Sequence, residues 1–151
     1  MNATPLDHAA LFHTGIVVDD LDAAAAEMGA QLGVTWYEGG GEVLLVTAEG
    51  AALTKTAYVL SKEGPHHIEL VQSVPGTLYE PTPDARGHHL GYWTDDVRAA
   101  SAALEDQGLP LHTSMCFGSP DAPPICAYHR AGDGFFVELV STKMRKVLLP
   151  E

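Results

Sequence analysis

One unit occurs twice in this chain, and no other feature of its 151 residues limits the fold as strongly. His13-Thr14-Gly15-Ile16-Val17-Val18-Asp19-Asp20 returns as His89-Leu90-Gly91-Tyr92-Trp93-Thr94-Asp95-Asp96. In both copies a histidine opens an apolar run of strand length, a glycine follows two residues later, and an Asp-Asp pair closes the run. The copies also end alike, in Ile68-Glu69-Leu70-Val71 and in Val137-Glu138-Leu139-Val140. Self-similarity on this scale means one supersecondary unit built twice, with two histidines and two glutamates at matching points.

The elements between these landmarks follow from periodicity and punctuation. Phe12 to Val18 reads as a buried strand, and Asp19-Asp20 offers carboxylates to the free N–H groups of a helix starting at Leu21. Ala24, Met28 and Leu32 recur on one helical face as packing residues, and Gly33 stands where a left-handed cap would stop the helix. Trp36-Tyr37 suggests strand, Gly39-Gly40-Gly41 a turn or bulge, and Val43–Thr47 and Thr54–Leu60 two further extended runs. Gly64-Pro65 reads as a tight turn and His67–Gln72 as a strand. The second copy gives a strand from His88 to Thr94 and a helix from Asp95 with Val97, Ala100 and Leu104 on one face, stopped at Gly108 with Pro110 beyond. Leu109–Thr113, Ile125–His129 and Phe135–Val140 read as strands, with a Pro-rich loop over 118–124 and a hairpin turn at Gly132-Asp133-Gly134.

The expectation is thus a single α+β domain of two βαβββ modules, 12–73 and 88–141, joined by a Pro-rich linker over 74–87. Residues 142–151 should form an arm packed on the protein's own surface or on a neighbour. With 46% hydrophobic and 19% charged residues there is ample material for a core. The net charge of -12 repels phosphate backbones and argues against nucleic acid as a partner. The segment from Met1 to Leu11 lacks the features of a leader, and no stretch approaches the roughly 18 to 20 apolar residues of a membrane span. The expected location is the cytoplasm, where Cys116 and Cys126 would be reduced core or loop residues.

The repeat permits a particular chemistry. If the first and last strands of each module are neighbours, the histidine of one and the glutamate of the other can project from the same face. Two modules then supply His13, Glu69, His89 and Glu138, a mixed N/O set suited to Zn, Ni, Co, Mn or Fe that leaves positions open for substrate or water. Coordinating atoms near 2.0 to 2.3 Å of one divalent ion are expected. Alternation also allows the opposite arrangement, with the glutamates in water and their apolar neighbours in the core. Of the pair His88-His89 only one can face the site, and the His-x-Gly register selects His89. His8, His66, His67, His112 and His129 have no matching counterpart and are left out of the set.

Beyond these readings, the chain resembles the vicinal oxygen chelate superfamily, the glyoxalase, bleomycin-resistance and extradiol-dioxygenase group, from Phe12 to Ser141. The resemblance lies in Phe12-His13-Thr14-Gly15-Ile16-Val17-Val18 with Asp20-Leu21, Ile68-Glu69-Leu70-Val71-Gln72, Gly87-His88-His89-Leu90-Gly91-Tyr92, and Tyr128 through Gly134 to Val137-Glu138-Leu139. Within that group the chain is most similar to glyoxalase-like proteins related to methylmalonyl-CoA epimerase. The resemblance implies metal ligation by His13, Glu69, His89 and Glu138 in a cavity between two curved modules, which in glyoxalase I relatives a second subunit completes. It departs from the epimerase pattern at Glu69, where glutamine is common. It departs from glyoxalase I in having no arginine near His13, the arginines being Arg86, Arg98, Arg130 and Arg145. Glu38, Glu42 and Glu49 all fall where an epimerase's additional base would be sought.

The reaction that ligands and resemblance suggest together is loss of a proton beside a metal-bound carbonyl, through an enolate-like intermediate, in an epimerase, isomerase or glyoxalase-type lyase. Glu138 is the first choice of base and Glu69 the second. The substrate would be a small molecule with carbonyl or vicinal oxygens. The alternatives are an Fe(II) extradiol-type dioxygenase and a metal-free binding or antibiotic-resistance protein whose cavity is lined by Trp36, Tyr37, Trp93, Phe117 and Phe135. Open sheet edges and the apolar run Val147-Leu148-Leu149 point to a homodimer.

Overall fold

The computed structural model describes residues 6–150; Met1–Pro5 of the N-terminal segment and Glu151 of the tail lie outside the described residues. The first module runs β1 (Leu11–Val18), α1 (Leu21–Leu32), β2 (Trp36–Thr47), β3 (Gly50–Ser61) and β4 (His67–Gln72). The second runs β5 (His89–Thr94), α2 (Val97–Asp106), β6 (Leu111–Cys116), β7 (Cys126–Arg130) and β8 (Phe136–Ser141), followed by a 3-10 turn (Thr142–Met144) and a short helix α3 (Arg145–Leu148). Both are βαβββ, and together they form an α+β fold around one mixed sheet.

The strands close into a barrel in the order β1-β4-β3-β2-β6-β7-β8-β5. Within each module the first strand lies parallel to the last, β1 on β4 and β5 on β8. Two antiparallel seams join the modules, β1 with β5 and β2 with β6. The open edges expected from two separate small sheets are therefore mostly paired within one chain, which removes the edge argument for a dimer.

Each helix covers the outside of its own module and leaves the inside free. The Asp20 side chain accepts from the Ala23 N–H, and Asp96 accepts from Ala99 in the same way. Both satisfy donors that the first helical turn leaves open. Leu21, Ala24, Ala25 and Met28 of α1 pack on Val59, Ile68 and Leu70, while Val97, Ala100 and Leu104 of α2 pack on Ala127, Val137 and Leu139. Ile68 and Leu70 thus face the helix, and Glu69 and Val71, which alternate with them, face the barrel interior. The strand is buried on both sides, so the apolar neighbours of Glu69 and Glu138 never compete with them for the inner face.

Three expectations change. Gly39–Gly41 is no turn, because β2 runs through it with unbroken pairing of Gly39, Gly40 and Gly41 to Tyr58, Ala57 and Thr56. A Cβ on Gly39 would stand 2.2 Å from the Tyr58 ring, and Gly40 holds φ 122 with the Thr56 carbonyl oxygen 2.3 Å from its Cβ position. The glycines therefore let a strand pass where an inward tyrosine fills the space. The reversal comes instead at Ala48-Glu49, before Gly50. Strand β6 starts at Leu111 rather than Leu109, whose N–H is used by the Leu104 carbonyl in closing α2. The segment over 74–87 is more than a spacer, since Leu78, Tyr79 and Ala85 are buried in the fold. The tail packs on its own chain through Met144 and Leu148.

Candidate metal centre

Strand register alone brings the four site residues together. Gly15 pairs with Glu69 on one side and His89 on the other, and Gly91 pairs with His13 on one side and Glu138 on the other. The two His-x-Gly segments thus cross at the β1–β5 seam, and each glycine lies under the other module's imidazole. A Cβ on Gly15 would come within 2.1 Å of His89 Nε2, and one on Gly91 within 2.0 Å of His13 Cε1. Any side chain at either glycine would occupy the volume of a site histidine. The repeated glycine is therefore part of the site.

All four residues are buried, and their ligand atoms lie within 4.8 Å of one another. His13 Nε2 is 3.0 Å from Glu138 Oε1 and 3.6 Å from Glu69 Oε1, while His89 Nε2 is 2.9 Å from Glu69 Oε1 and 3.3 Å from Glu138 Oε1. Ligands held about 2.1 Å from a common ion stand about 3.0 Å apart at right angles and about 3.4 Å apart at the tetrahedral angle. The observed separations have the size of a coordination polyhedron.

Hydrogen bonding tests the fit further. His89 Nδ1 lies 3.1 Å from the Gly87 carbonyl oxygen, so its N–H donates there and the Nε2 lone pair is turned toward Glu69. A lone pair facing a carboxylate needs either a proton or a cation between them. Burial works against the proton, but the hydrogen bond that a protonated Nε2 donates to Glu69 and the charges of Glu138 and Glu69 outweigh it and raise His89 to about 9. His13 Nδ1, His13 Nε2 and Glu138 Oε1 are buried without a hydrogen-bond partner, although 3.0 Å separates the last two. That approach is close but not aligned as a hydrogen bond. Orphaned buried donors and acceptors are costly, and a divalent cation between His13 Nε2 and Glu138 Oε1 would satisfy those two, leaving only His13 Nδ1. The donor set fits a transition-metal ion.

The two carboxylates have different neighbours. Burial alone would raise the Glu138 carboxyl, but His13, His89 and a hydrogen bond from Tyr128 hold it below the ordinary carboxylate range. Tyr128 is paired to Glu138 across β7–β8, and its hydroxyl also meets that of Tyr79. Burial and the nearby carboxylate of Glu138 keep Tyr79, Tyr128 and the Cys126 thiol well above their usual values, so all three are neutral donors. Burial, with Glu69 and Glu138, likewise pushes Tyr58 up to about 12.

A cavity of about 240 Å³ reaches this cluster, with His13, Glu69 and Glu138 in its lining. Its walls are Val43, Thr56, Tyr58 and Val71 from the first module, Met115, Cys126, Tyr128 and Val140 from the second, and Met144, Val147 and Leu148 from the tail. The aromatic lining expected of a metal-free binding protein is not there. Trp36 donates to the Ala25 carbonyl under α1, Trp93 stacks on Phe12 beneath Arg145, Tyr37 lies under Lys62, and Phe135 packs with α2. Only Phe117 of that group lines the cavity. Tyr58, Tyr79 and Tyr128 take the place of the others; their inward direction depends on strand register, although Tyr128 could have been found from its position ten residues before Glu138.

His88 lies off the cluster, its Nδ1 accepting from the Val17 N–H. His66 meets Thr14, His67 the Ser61 carbonyl, His112 Thr113, and His129 both Ser101 and the Leu109 carbonyl. Both cysteines are buried and free. No described helix is long and apolar enough to cross a membrane.

Residues 12–126 match the sequence profile of the Glyoxalase/Bleomycin resistance protein/Dioxygenase superfamily. The chain belongs to that superfamily. Among solved structures it is similar to methylmalonyl-CoA epimerase from Mycobacterium tuberculosis, with 23% identity, a TM-score of 0.57, and coverage of 93% of this chain and 92% of that one. Streptomyces coelicolor methylmalonyl-CoA epimerase in complex with 2-nitronate-propionyl-CoA is 19% identical, with a TM-score of 0.54 and coverage of 87% and 96%. A hypothetical protein from Bacillus halodurans is 15% identical, with a TM-score of 0.53 and coverage of 87% and 93%. At these identities the likeness is one of fold. Comparison with curated protein sequences finds no match. The superfamily relation agrees with the resemblance read from the repeated motifs.

Proposed function

We propose that the chain is a divalent-metal-dependent enzyme of the glyoxalase and epimerase type, moving a proton at a carbon beside a carbonyl as an epimerase, isomerase or lyase. The observation that carries this reading is the convergence of two imidazoles and two carboxylates, two of whose ligand atoms, His13 Nε2 and Glu138 Oε1, have no hydrogen-bond partner, on a cavity large enough for a small molecule. His13, Glu69, His89 and Glu138 would hold the ion, one of Zn, Ni, Co, Mn or Fe. Bound there, it would supply a Lewis acid that makes a proton beside a carbonyl easier to remove. Glu138 takes the proton, and the Tyr128 hydroxyl orients it. Glu69, contributed by the opposite module, is the second carboxylate for a proton returned to the other face. Two of the solved epimerase structures are complexes with methylmalonyl-CoA and with 2-nitronate-propionyl-CoA, which supports starting the substrate panel with acyl-CoA compounds. The test is elemental analysis of protein purified without chelators, followed by solvent-deuterium exchange into that panel. One equivalent of a transition metal and exchange that Glu138→Gln abolishes are expected. A metal-free protein, or unchanged exchange in the variant, would overturn the reading.

We also propose a cytoplasmic homodimer. With the barrel edges paired, its support is the apolar surface left by exposed Leu53 on β3 and Val147 on α3. Sedimentation at micromolar concentration should give about 32 kDa under two-fold closure, and a persistent 16.0 kDa species would sink it.

A further inference from the structure

The cavity is lined by polar side chains of several kinds, but by none that carries a fixed positive charge. Among the described residues its lining holds carboxylates, one site histidine, the hydroxyls of Thr56, Tyr58, Tyr79 and Tyr128, and the Cys126 thiol, but no lysine or arginine. Several of the chain's cations are engaged elsewhere. Arg145 lies over Trp93, Arg130 over Phe136 and Lys62 over Tyr37, and Arg98 donates to the Asp121 and Ala122 carbonyls.

Strand register sharpens this point. Glu38 and Glu42 belong to the lining, but they alternate with the inward positions Gly39, Gly41 and Val43, and Glu42 pairs with Lys55. The carboxylates that face inward are Glu69 and Glu138, and a divalent ion would just balance their two charges. The remaining wall is apolar, with Val43, Val71, Met115, Ile125 and Val140 around it. A second anionic group in this space would lose its water and meet no counter-ion, which is strongly unfavourable for a carboxylate or phosphate. Hydroxyl donors orient a neutral oxygen at far smaller cost.

We infer that the part of the substrate entering the cavity is uncharged apart from the oxygens it presents at the four-residue cluster, so that compounds placing a carboxylate or phosphate against the wall away from that cluster are excluded. This deepens the proposed metal-dependent reading and rests on it for the cluster's charge balance. A carrier remaining outside the cavity is not restricted.

A matched pair of small chelators, titrated into zinc-loaded protein, provides the test: benzohydroxamate, which is uncharged apart from the hydroxamate that would meet the ion, and 4-carboxybenzohydroxamate. Met115 and Met144 both line the cavity, so their methyl resonances in a methyl-labelled sample report occupancy without any turnover. Both resonances should shift with the uncharged probe, and the carboxylated probe should bind at least tenfold more weakly. In Thr56→Lys, which places an ammonium at the wall, that preference should shrink or reverse. Equal or tighter binding of the carboxylated probe by the unaltered protein, or binding of neither, overturns the inference. Zinc content measured on the same sample separates the two claims. A zinc-free protein that still prefers the uncharged probe would sink the metal reading alone, and a zinc-loaded protein that takes both probes equally would sink this one alone.

Discussion

The two modules place their metal-capable residues alike and surround them differently. Glu69 in β4 is paired across the sheet to Leu60, whereas its counterpart Glu138 in β8 is paired to Tyr128. One step along, Val71 faces Tyr58 while Val140 faces Cys126. The first module thus gives its carboxylate an apolar neighbour, and the second gives its carboxylate a hydroxyl donor. Duplication supplies a symmetric set of metal-capable side chains, and the neighbouring strands give the two carboxylates different surroundings, the kind of difference that acid–base chemistry exploits.

The symmetric part should break first and hardest. Gly15→Ala and Gly91→Ala each put a Cβ about 2 Å from a buried imidazole, so either should cost up to ~100-fold in metal affinity, the upper end of what is lost when ligand positioning fails. Overpacking should also remove roughly 1–3 kcal/mol of stability. Calorimetric zinc titration of both variants checks it. A large effect at one glycine with none at the other would show that the two crossings are not equivalent.

The asymmetry should appear next. Tyr128→Phe removes the hydroxyl beside Glu138 and should slow proton exchange by roughly tenfold, less than the ~100-fold or more of an acid–base group itself because the tyrosine acts through Glu138, while leaving zinc content unchanged. Leu60→Tyr, which offers Glu69 a hydroxyl in addition to its contact with His89, should change exchange less. Equal losses from Glu138→Gln and Glu69→Gln in metal-loaded protein would erase the distinction drawn between the modules.

Acidity provides a third probe, smaller and dependent on conditions. Without metal, His89 is raised from its usual 6.5 to about 9, chiefly by Glu69 and Glu138 working against burial. A raised histidine contributes stability that is fully present below about 6.5 and is lost as pH climbs through about 9. Glu138 is held below its usual value, so its contribution is present above the ordinary carboxylate range and is lost as pH falls below it. Metal-free protein should therefore be most stable between about 4.5 and 6.5 and lose at most about 3 kcal/mol by pH 9. Protein loaded with zinc should not show the alkaline loss, because the ion replaces that proton. Thermal unfolding across this range, with and without chelator, measures both limbs.

What was legible in the sequence follows the same division. The repeat gave the βαβββ modules and aligned His13 with His89 and Glu69 with Glu138, because ligand spacing within a module is carried by adjacent parallel strands. The glycine triplet misled because glycine marks both a turn and a close approach, and only the pairing of Gly39 to Tyr58 distinguishes them. The cavity walls were out of reach for a related reason. Tyr58, Tyr79 and Met144 reach the cavity through strand closure, a packed connecting segment and the tail, none of which leaves a local pattern. Trp36 and Phe135 lie against the helices instead.

The smallest difference between the modules lies at the helix starts. Asp20 accepts from Ala23, but α1 has a second support, since Gln72 accepts from the Leu21 N–H at 2.9 Å and donates to the Asp19 carbonyl at 2.7 Å. Position 72 ends β4, and its counterpart at the end of β8 is Ser141, which instead accepts from Lys143 N–H at the start of the tail. Asp96 therefore holds the first turn of α2 without an equivalent of Gln72. An N-cap aspartate replaced by alanine typically costs about 1 kcal/mol, and that full cost is expected for Asp96→Ala. Asp20→Ala should lose about half as much, because Gln72 keeps the Leu21 donor satisfied, and the added change Gln72→Ala should bring the two modules level. Urea unfolding of the three variants resolves differences of this size. A larger loss from Asp20→Ala than from Asp96→Ala would mean that the glutamine does not share the capping of α1.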